Sequence, residues 1–582
     1  MSIFKELIID LKEDIKKAGY DVENPAIETS NRKDLGEYQL NDAMPLAKTY
    51  HENPREIAEK IKAVLDQDSR LENINIAGPG FINFSLSESY AIEILNRMHK
   101  DVFENIDKEK EKMIVIDYGG ANVAKALHVG HLRSANIGEA LKRLAKKMGY
   151  NVLGDAHLGD YGRPLGLVVL ELKKRFPDLP YFDENYKESF DDLTIPITNE
   201  DLEKIYPLAS QKAKEDEAYL EEGRDITARI QKHERGYYDL WKKVVEISKS
   251  DIKKLYDSLN VEFELWLGES DAVEYIDELI DIYEKKGLLK DSEGAKIVEV
   301  ARDDDKAPMP PLIFIKSNES VSYETTDIAT ILQREKEYHP DEIWYVVDGR
   351  QGLHFEQVFR AARKAELVPE TTVLEHVGFG TMNGKDGKPF KTRDGGVMTL
   401  KSLIDLVKEE TLKRINPETV SEEEKESVAT DVAIAALKYA DFLPFRATDY
   451  IFEIEKFTDL EGKTGPYLLY STIRMKSLLK KAVDIKIEDA TIIPGKTEKE
   501  IILTLLELPN ILKKSLEVKS LNDIAEYLYN LTALYNKFYA ENKVLSEEKQ
   551  QKRNSWLVLT KTVYQVNTML LDILGIKVPE KM

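Results

Sequence analysis

The segment from Met113 to His131 constrains this chain more than any other. Met113, Ile114, Val115, Ile116, Asp117 and Tyr118 form a mostly apolar, partly β-branched run, which predicts a buried strand. Gly119 and Gly120 open a short loop, and residues 122–131 then read Asn-Val-Ala-Lys-Ala-Leu-His-Val-Gly-His. A helix is expected to begin near His128. His128 and His131 are three apart, so they share one face at its first turn. A helix N-terminus carries partial positive charge and free N–H groups, and so favours phosphate. Gly130 between them lets a flat ring approach the backbone. The arrangement is a strand–loop–helix suited to a polyphosphate. Taken alone, the same four residues also fit two solvated or capping histidines.

A second segment lies far downstream. Residues 384–396 are glycine-rich, short of large apolar side chains, and carry Lys388, Lys391 and Arg393. They read as a mobile loop whose cations can swing onto phosphates; in isolation they also fit a solvated hairpin tip.

Together these segments resemble the class I aminoacyl-tRNA synthetases, and an ordered set of motifs narrows the resemblance to the arginyl-tRNA synthetase family. The motifs are Asn122, Ala124-Lys125 and His128 to Ser134; then Gly159 to Gly162; then Tyr323 to Ala329; then Val346 to Asp348 with Gln351 to Phe355; and last Asp386 to Arg393. They span essentially the whole chain. One departure is Gly120-Ala121, where the family has Ser-Pro.

The resemblance implies ATP-dependent activation of L-arginine to arginyl-adenylate and transfer to the 3′ end of tRNA(Arg). Mg²⁺ would come with ATP, held mainly by its oxygens, because that ion keeps waters and needs few protein ligands. The implied catalytic residues are His128, His131, Lys125 and Lys391. ATP would meet His128, Gly130, His131, His354, Lys388, Lys391 and Arg393. Arginine would meet Asp117, Asn122, Tyr323, Asp327 and Gln351. The RNA would meet Phe81, Asn83, Tyr470, Arg474 and Met582. No metal-ligating protein residue is implied.

The chemistry behind these assignments is electrostatic. Adenylate formation spreads negative charge over the α-phosphate and the leaving pyrophosphate, and preorganised donors there lower the barrier. Phe390-Lys391-Thr392-Arg393 stands where most class I enzymes have Met-Ser-Lys-Ser, which puts Thr392 in place of the usual lysine. Lys125 supplies a replacement cation within the histidine motif; read alone it is a solvated loop lysine. A guanidinium is planar, permanently charged and carries five N–H donors, so a buried carboxylate suits it. Asp327 is that carboxylate, with Tyr323 one turn earlier on the same face. The competing reading makes Asp327 a helix cap. His354, isolated, also fits a structural histidine.

At 582 residues the chain is too long for one core. The expected fold is multidomain: an N-terminal α+β domain over 1–108, a Rossmann-like doubly wound α/β catalytic core over 109–420 with an acidic insertion at about 177–235, and an all-α bundle over 421–582. The resemblance assigns the first unit to the tRNA elbow and the last to the anticodon. Phe81 and Asn83 alternate on one strand, so they share a side suited to stacking and base-edge contact, or equally to a core ring and a turn amide. Tyr527, Tyr529, Tyr535, Phe538 and Tyr539 at helical spacing fit core positions better than stacking ones.

The chain has no cysteine, which excludes disulfides and thiolate zinc sites. It has no long apolar run, so a cytoplasmic monomer free of membrane is expected. The net charge of −23 argues against indiscriminate nucleic-acid binding but leaves room for local basic surface, such as residues 471–482. Three other functions remain in view: a synthetase for another amino acid, a non-catalytic RNA-binding derivative, and a small-molecule adenylyltransferase. Asp327 and Asp117 argue against the first. The intact histidine motif and loop argue against the second. The RNA-like flanking domains argue against the third.

Overall fold

The computed structural model describes residues 3–102, 112–318, 320–388, 390 and 398–582. Lys391, Thr392 and Arg393 lie outside the described residues.

The N-terminal unit is α+β. An antiparallel sheet runs in the order Ile27–Thr29, Tyr38–Leu40, Phe81–Leu86, Leu71–Ala77. Helix Pro54–Leu65 starts as its sequence dictates: Asn53 caps it, accepting the Arg55 N–H at 2.9 Å, and proline fills the first turn, where no N–H is needed. Its Ile57, Ala58, Ile61 and Leu65 are buried. The unit leans on the C-terminal bundle. Asn96 bonds Ala490 through both amide groups, and Lys499 pairs with Glu37 and Glu72.

The core is a parallel sheet in the order Val373–His376, Glu342–Val346, Met113–Tyr118, Asn151–Asp155. Ile114, Val115 and Ile116 are all fully buried, an unbroken run rather than an alternation, because helices cover the sheet. From Met113–Tyr118 the chain passes first to Asn151–Asp155 on one side and later to Glu342–Val346 on the other. That reversal opens a crevice at the carboxyl ends of the two strands Met113–Tyr118 and Glu342–Val346, where such folds bind ligands.

The expected insertion is helical. Asn199–Glu215 and Glu217–Gln231 pack on helix Arg163–Arg175, and Tyr237–Ser258 follows. A three-stranded antiparallel sheet, Leu289–Ser292, Ala295–Val298 and Leu312–Ile315, was not expected. Its strands have four residues each and carry Lys290, Asp291 and Lys296, which gives no apolar alternation to read.

The C-terminal part is dominated by helices Glu422–Phe442, Gly465–Lys481, Asn522–Glu541 and Gln550–Ile573. It is not wholly helical: Tyr450–Ile451 pairs in parallel with Met382–Asn383. Helix Glu422–Phe442 is tied to the core as well as to the bundle. Arg133 Nε meets Asp441 Oδ1 at 2.7 Å with both side chains buried, and Asn136 donates to the same carboxylate.

Candidate active site

Helix Val129–Lys147 spans the crevice at the strand reversal. Gly119 N–H donates to Ser134 Oγ at 2.7 Å, and that hydroxyl donates to Val346 O at 2.7 Å, so one serine ties the helix to both central strands. His128 is the N-cap. Its Nδ1 accepts the Gly130 N–H at 3.0 Å, and His131 Nδ1 accepts the His128 N–H at 3.0 Å. With Nδ1 committed as acceptor, each neutral ring carries its proton on Nε2. Neither Nε2 has a partner among the described residues. Burial, and next the charges of neighbours including Lys125, hold both rings neutral; His131 falls to about 3 and His128 is lowered. The rings lie 4.1 Å apart. The site therefore presents two uncharged N–H donors.

This corrects the sequence reading in one respect. The N–H groups of His128 and Gly130 are not free for phosphate, since the imidazoles occupy them. A Cβ on Gly130 would lie 2.8 Å from the His128 ring, so the glycine makes room for the chain's own side chain.

Positive charge comes from exposed side chains. Lys125 and Lys388 are solvent-facing. Arg350, which the sequence reading missed, is exposed, pairs with Asp348 at 2.7 Å, and acts on His128. Lys391 and Arg393 cannot be placed, being outside the described residues, but the residues flanking them can. Met398 N–H bonds Phe390 O at 3.3 Å, Thr399 pairs antiparallel with His128, and Leu400 N–H bonds Leu127 O at 2.8 Å. The exit of the basic segment thus lies against the histidine motif.

The Asn122 loop is held firmly despite its Gly-Ala substitution for Ser-Pro. Val123 N–H reaches Gly159 O at 3.0 Å, Gly159 N–H reaches Ala121 O at 2.9 Å, and Ala124 N–H reaches Ser248 Oγ at 3.0 Å. Any side chain at Gly159 would collide with Asn122 Oδ1, 2.2 Å from the Cβ position. Asn122 itself is exposed toward solvent.

On the amino-acid side, Ser322 caps helix Tyr323–Tyr338, its Oγ accepting the Thr325 N–H at 3.2 Å. Asp327 is therefore no cap. Its Oδ2 lies 2.6 Å from His354 Nε2, so a residue assigned to arginine and one assigned to ATP meet each other. Burial opposes a charge on His354, but the Asp327 bond and charge raise it overall. Tyr323 is 58% exposed at the helix start, and Gln351 is exposed in the turn Gly349–Gln351.

Asp117 lies beneath this surface and is already paired. Fully buried Arg334 reaches Asp117 at 2.7 Å and Asp155 at 2.8 Å. His157 sits beside them; burial opposes its charge, but Asp155, 3.6 Å away, and Asp117 lift it to about 9. Two cations thus face two carboxylates. Glu269 is left over. Burial, then the charges of Asp327 and Asp160 against an opposing His157, raise it to about 7, and it has no partner among the described residues. Sequence reading missed Glu269 because Gly268 to Asp271 reads only as a small acidic helix start.

The proposed RNA contacts divide. Phe81 is half-buried, but Asn83 is fully buried, with Gln39 and Asn75 opposite it on the two neighbouring strands. Asn83 Oδ1 finds no partner there, so the amide is closed to a base edge in this state. Tyr470 is 45% exposed. Arg474 lies 4.6 Å from the Tyr539 ring and bonds Asn536, and Met582 O accepts from Thr419 Oγ1 at 3.0 Å. Tyr527, Tyr535 and Phe538 are core. Lys476 and Lys480 of the basic stretch pair with Glu580.

The chain is similar to known proteins along its length. Residues 93–454 match the family described as tRNA synthetases class I (R), catalytic domain. Residues 5–86 match the arginyl tRNA synthetase N terminal domain, and 468–582 the DALR anticodon binding domain. The chain is 43% identical to an arginine–tRNA ligase of Alkaliphilus oremlandii over 100% of both chains, and 42% identical to one of Agathobacter rectalis over 99% of this chain and 100% of that one. Among solved structures, the arginyl-tRNA synthetase of Plasmodium falciparum overlays with a TM-score of 0.79 at 25% identity, each chain fully covered.

Proposed function

The chain belongs to the arginyl-tRNA synthetase family of class I aminoacyl-tRNA synthetases, and from that premise we propose how its crevice carries out ATP-dependent ligation of arginine to tRNA. The observation that carries the residue assignment is the pair Glu269 and Asp327. Arg334 and His157 balance Asp117 and Asp155, which leaves Glu269 without a cation and Asp327 with only His354 beside it, so the two together suit one added cation. A guanidinium satisfies them, with Tyr323 stacking at the mouth. Asn122 and Gln351 then orient the amino and carboxylate ends.

Beside that pocket, the Nε2–H groups of His128 and His131 donate to the α-phosphate as charge spreads in the transition state. Neither ring transfers a proton, which suits their lowered pKa values. Lys125 supplies positive charge there, and Lys388, Lys391, Arg393 and Arg350 attend the outer phosphates. Mg²⁺ enters as part of the ATP complex. Asp117, Asp155 and His157 cluster tightly enough for a metal, but the Arg334 guanidinium already fills their midst, so they are no magnesium cage.

We assign residues 1–108 to the tRNA elbow, 109–420 to chemistry and 421–582 to the anticodon, with helix Glu422–Phe442 shared with the core through Arg133–Asp441. We read the enzyme as a cytoplasmic monomer. No helix among the described residues is long and apolar enough to cross a membrane. The deciding experiment is charging of total tRNA with each of the twenty amino acids. Arginine is expected as the best substrate, and preference for any other would overturn the assignment.

A further inference from the structure

Three backbone layers meet where the linker that follows helix Glu422–Phe442 crosses the core. The first is the turn Gly349–Gln351, which carries Arg350. The second is residues 376–383, and the third is the linker itself, residues 445–452. Gly349 N–H donates to Phe379 O at 2.9 Å and Phe379 N–H to Val347 O at 3.2 Å, so the second layer holds the turn. On its other edge, Gly380 N–H donates to Arg446 O at 3.0 Å, Tyr450 N–H to Thr381 O at 3.0 Å and Phe452 N–H to Asn383 O at 2.9 Å. The layers leave no room for side chains between them. A Cβ at Gly380 would lie 2.6 Å from the Thr448 carbonyl carbon, and one at Gly378 would lie 3.2 Å from Gly349 Cα.

Two linker side chains bond into this stack. Asp449 Oδ1 accepts the Thr381 N–H at 2.6 Å. Half-buried Arg446 points its guanidinium two ways: one Nη donates to Gly378 O at 2.6 Å, and Nε donates to Lys519 O at 2.9 Å. Its own backbone N–H donates to Ser520 Oγ at 3.2 Å. Lys519 and Ser520 form the corner between helices Leu508–Glu517 and Asn522–Glu541, and Lys519 pairs with Glu375 at 2.8 Å, so that corner is fixed to the sheet. The histidine helix reaches the same linker. Arg133 donates to Thr448 O at 3.2 Å, and its guanidinium lies 5.1 Å from the Tyr450 ring and 5.8 Å from the Phe379 ring. The linker is therefore a common support for the helix that follows His128 and the turn that carries Arg350.

A binding group is only as precise as the backbone that carries it, and about 1 Å of misplacement can cost a hundredfold in rate. We propose that Arg446 is a positioning residue for ATP: its guanidinium sets residues 376–383, and through Phe379 the turn with Arg350, at a fixed separation from His128 and His131. The proposal rests on the reading of that turn and those histidines as the ATP side. An ammonium on a flexible stem would hold the two carbonyls without the fixed geometry of the guanidinium fork.

The test uses the full-length enzyme in charging kinetics, with ATP, arginine and tRNA varied in turn. Arg446→Lys should raise the KM for ATP about tenfold and leave the KM for arginine and for tRNA unchanged. Arg350→Ala should raise the KM for ATP as well. Because Arg446 acts through Arg350, adding Arg446→Lys to Arg350→Ala should cost little more, a non-additivity that general damage to the fold does not produce. If Arg446→Lys melts early, Asp449→Ala, at an exposed position, cuts the Thr381 link and should give the same pattern at smaller size. Equal rises in all three KM values, or fully additive losses in the double variant, would overturn the proposal. So would an unchanged KM for ATP in Arg446→Lys, and a rise in Arg350→Ala alone would then leave the ATP reading standing. An unchanged KM for ATP in Arg350→Ala would overturn both.

Discussion

The two sides of the crevice hold their charges differently. On the amino-acid side, Arg334, Asp117, Asp155 and His157 lie together inside the fold and pair with one another, with Asp117 and Asp155 on neighbouring sheet strands and Arg334 on the helix that Ser322 caps. On the phosphate side, Lys125, Lys388 and Arg350 are exposed, and only the two histidines are locked. Buried, preorganised charge costs no reorganisation when a ligand arrives. Exposed lysines on loops must be ordered by what they bind. On the proposed assignment, the framework beneath the arginine site is set in the folded chain, whereas the phosphate site is completed by its substrates. If Glu269 and Asp327 receive a guanidinium as proposed, amino acids lacking one leave Glu269 unpaired and are rejected, and no editing step is required.

If this contrast holds, the largest mutational effect lies at Asp327. Asp327→Asn keeps the shape and removes a charge. Loss of one partner in a buried charge pair typically costs about 2–5 kcal/mol, or roughly 30-fold to several thousandfold in kcat/KM for arginine. Citrulline, uncharged and nearly the same shape, should lose far less. Because Asp327 also bonds His354, His354→Ala is the necessary companion. If Asp327→Asn lowers arginine and citrulline use equally, the carboxylate serves His354 and not the substrate.

Next comes the exposed cation. Lys125→Ala should lower kcat and kcat/KM together by about a hundredfold, the scale of one lost transition-state contact. Thr392→Ala, at the position of the usual lysine, should do much less. Steady-state kinetics of both variants decides, and a larger loss in the threonine variant would move the catalytic cation back to the basic loop.

The same contrast explains what the sequence revealed. The histidine helix, its strand and the cap at Asn53 are local, so adjacent residues announce them, whereas the cap at Ser322 went unread in favour of Asp327. One Ser134 hydroxyl joins Gly119 to Val346, and the charge of Asp327 acts on Glu269 across the fold; no local pattern encodes either. Asp117 shows the reverse case. The family pattern marked it for the substrate, while its partner Arg334, 217 residues away, carries no motif of its own. The tautomers of His128 and His131 were also hidden, since they depend on which backbone N–H each ring accepts.

A smaller effect is expected from pH. Glu269 is raised to about 7, so its ionised fraction rises roughly tenfold between pH 6 and pH 8. Only the ionised carboxylate pairs with a guanidinium. The KM for arginine should therefore fall by up to about tenfold as pH rises over that range, then level off. Glu269→Gln should flatten the profile at a high KM. A wild-type KM that is constant from pH 6 to 8, with kcat also constant, would mean that Glu269 does not face the substrate.

The smallest effect belongs to the N-terminal unit, and here the burial difference between two alternating residues sets the test. Deleting the whole unit would uncover Lys499 and the Ala490 backbone, so a point change is cleaner. Phe81 is reachable from solvent and Asn83 is not. A lost stacking contact costs about 1–3 kcal/mol, and a single peripheral ring belongs at the low end. Phe81→Ala should raise the KM for tRNA about fivefold, with ATP and arginine affinities unchanged. Asn83→Ala should instead act on folding, because it alters a buried polar group, and should shift Tm more than KM. Charging kinetics and thermal melts of the two variants separate these outcomes. If Asn83→Ala raises the KM for tRNA as strongly as Phe81→Ala at unchanged Tm, the strand must open to present its amide, and the elbow contact is made by a rearranged surface.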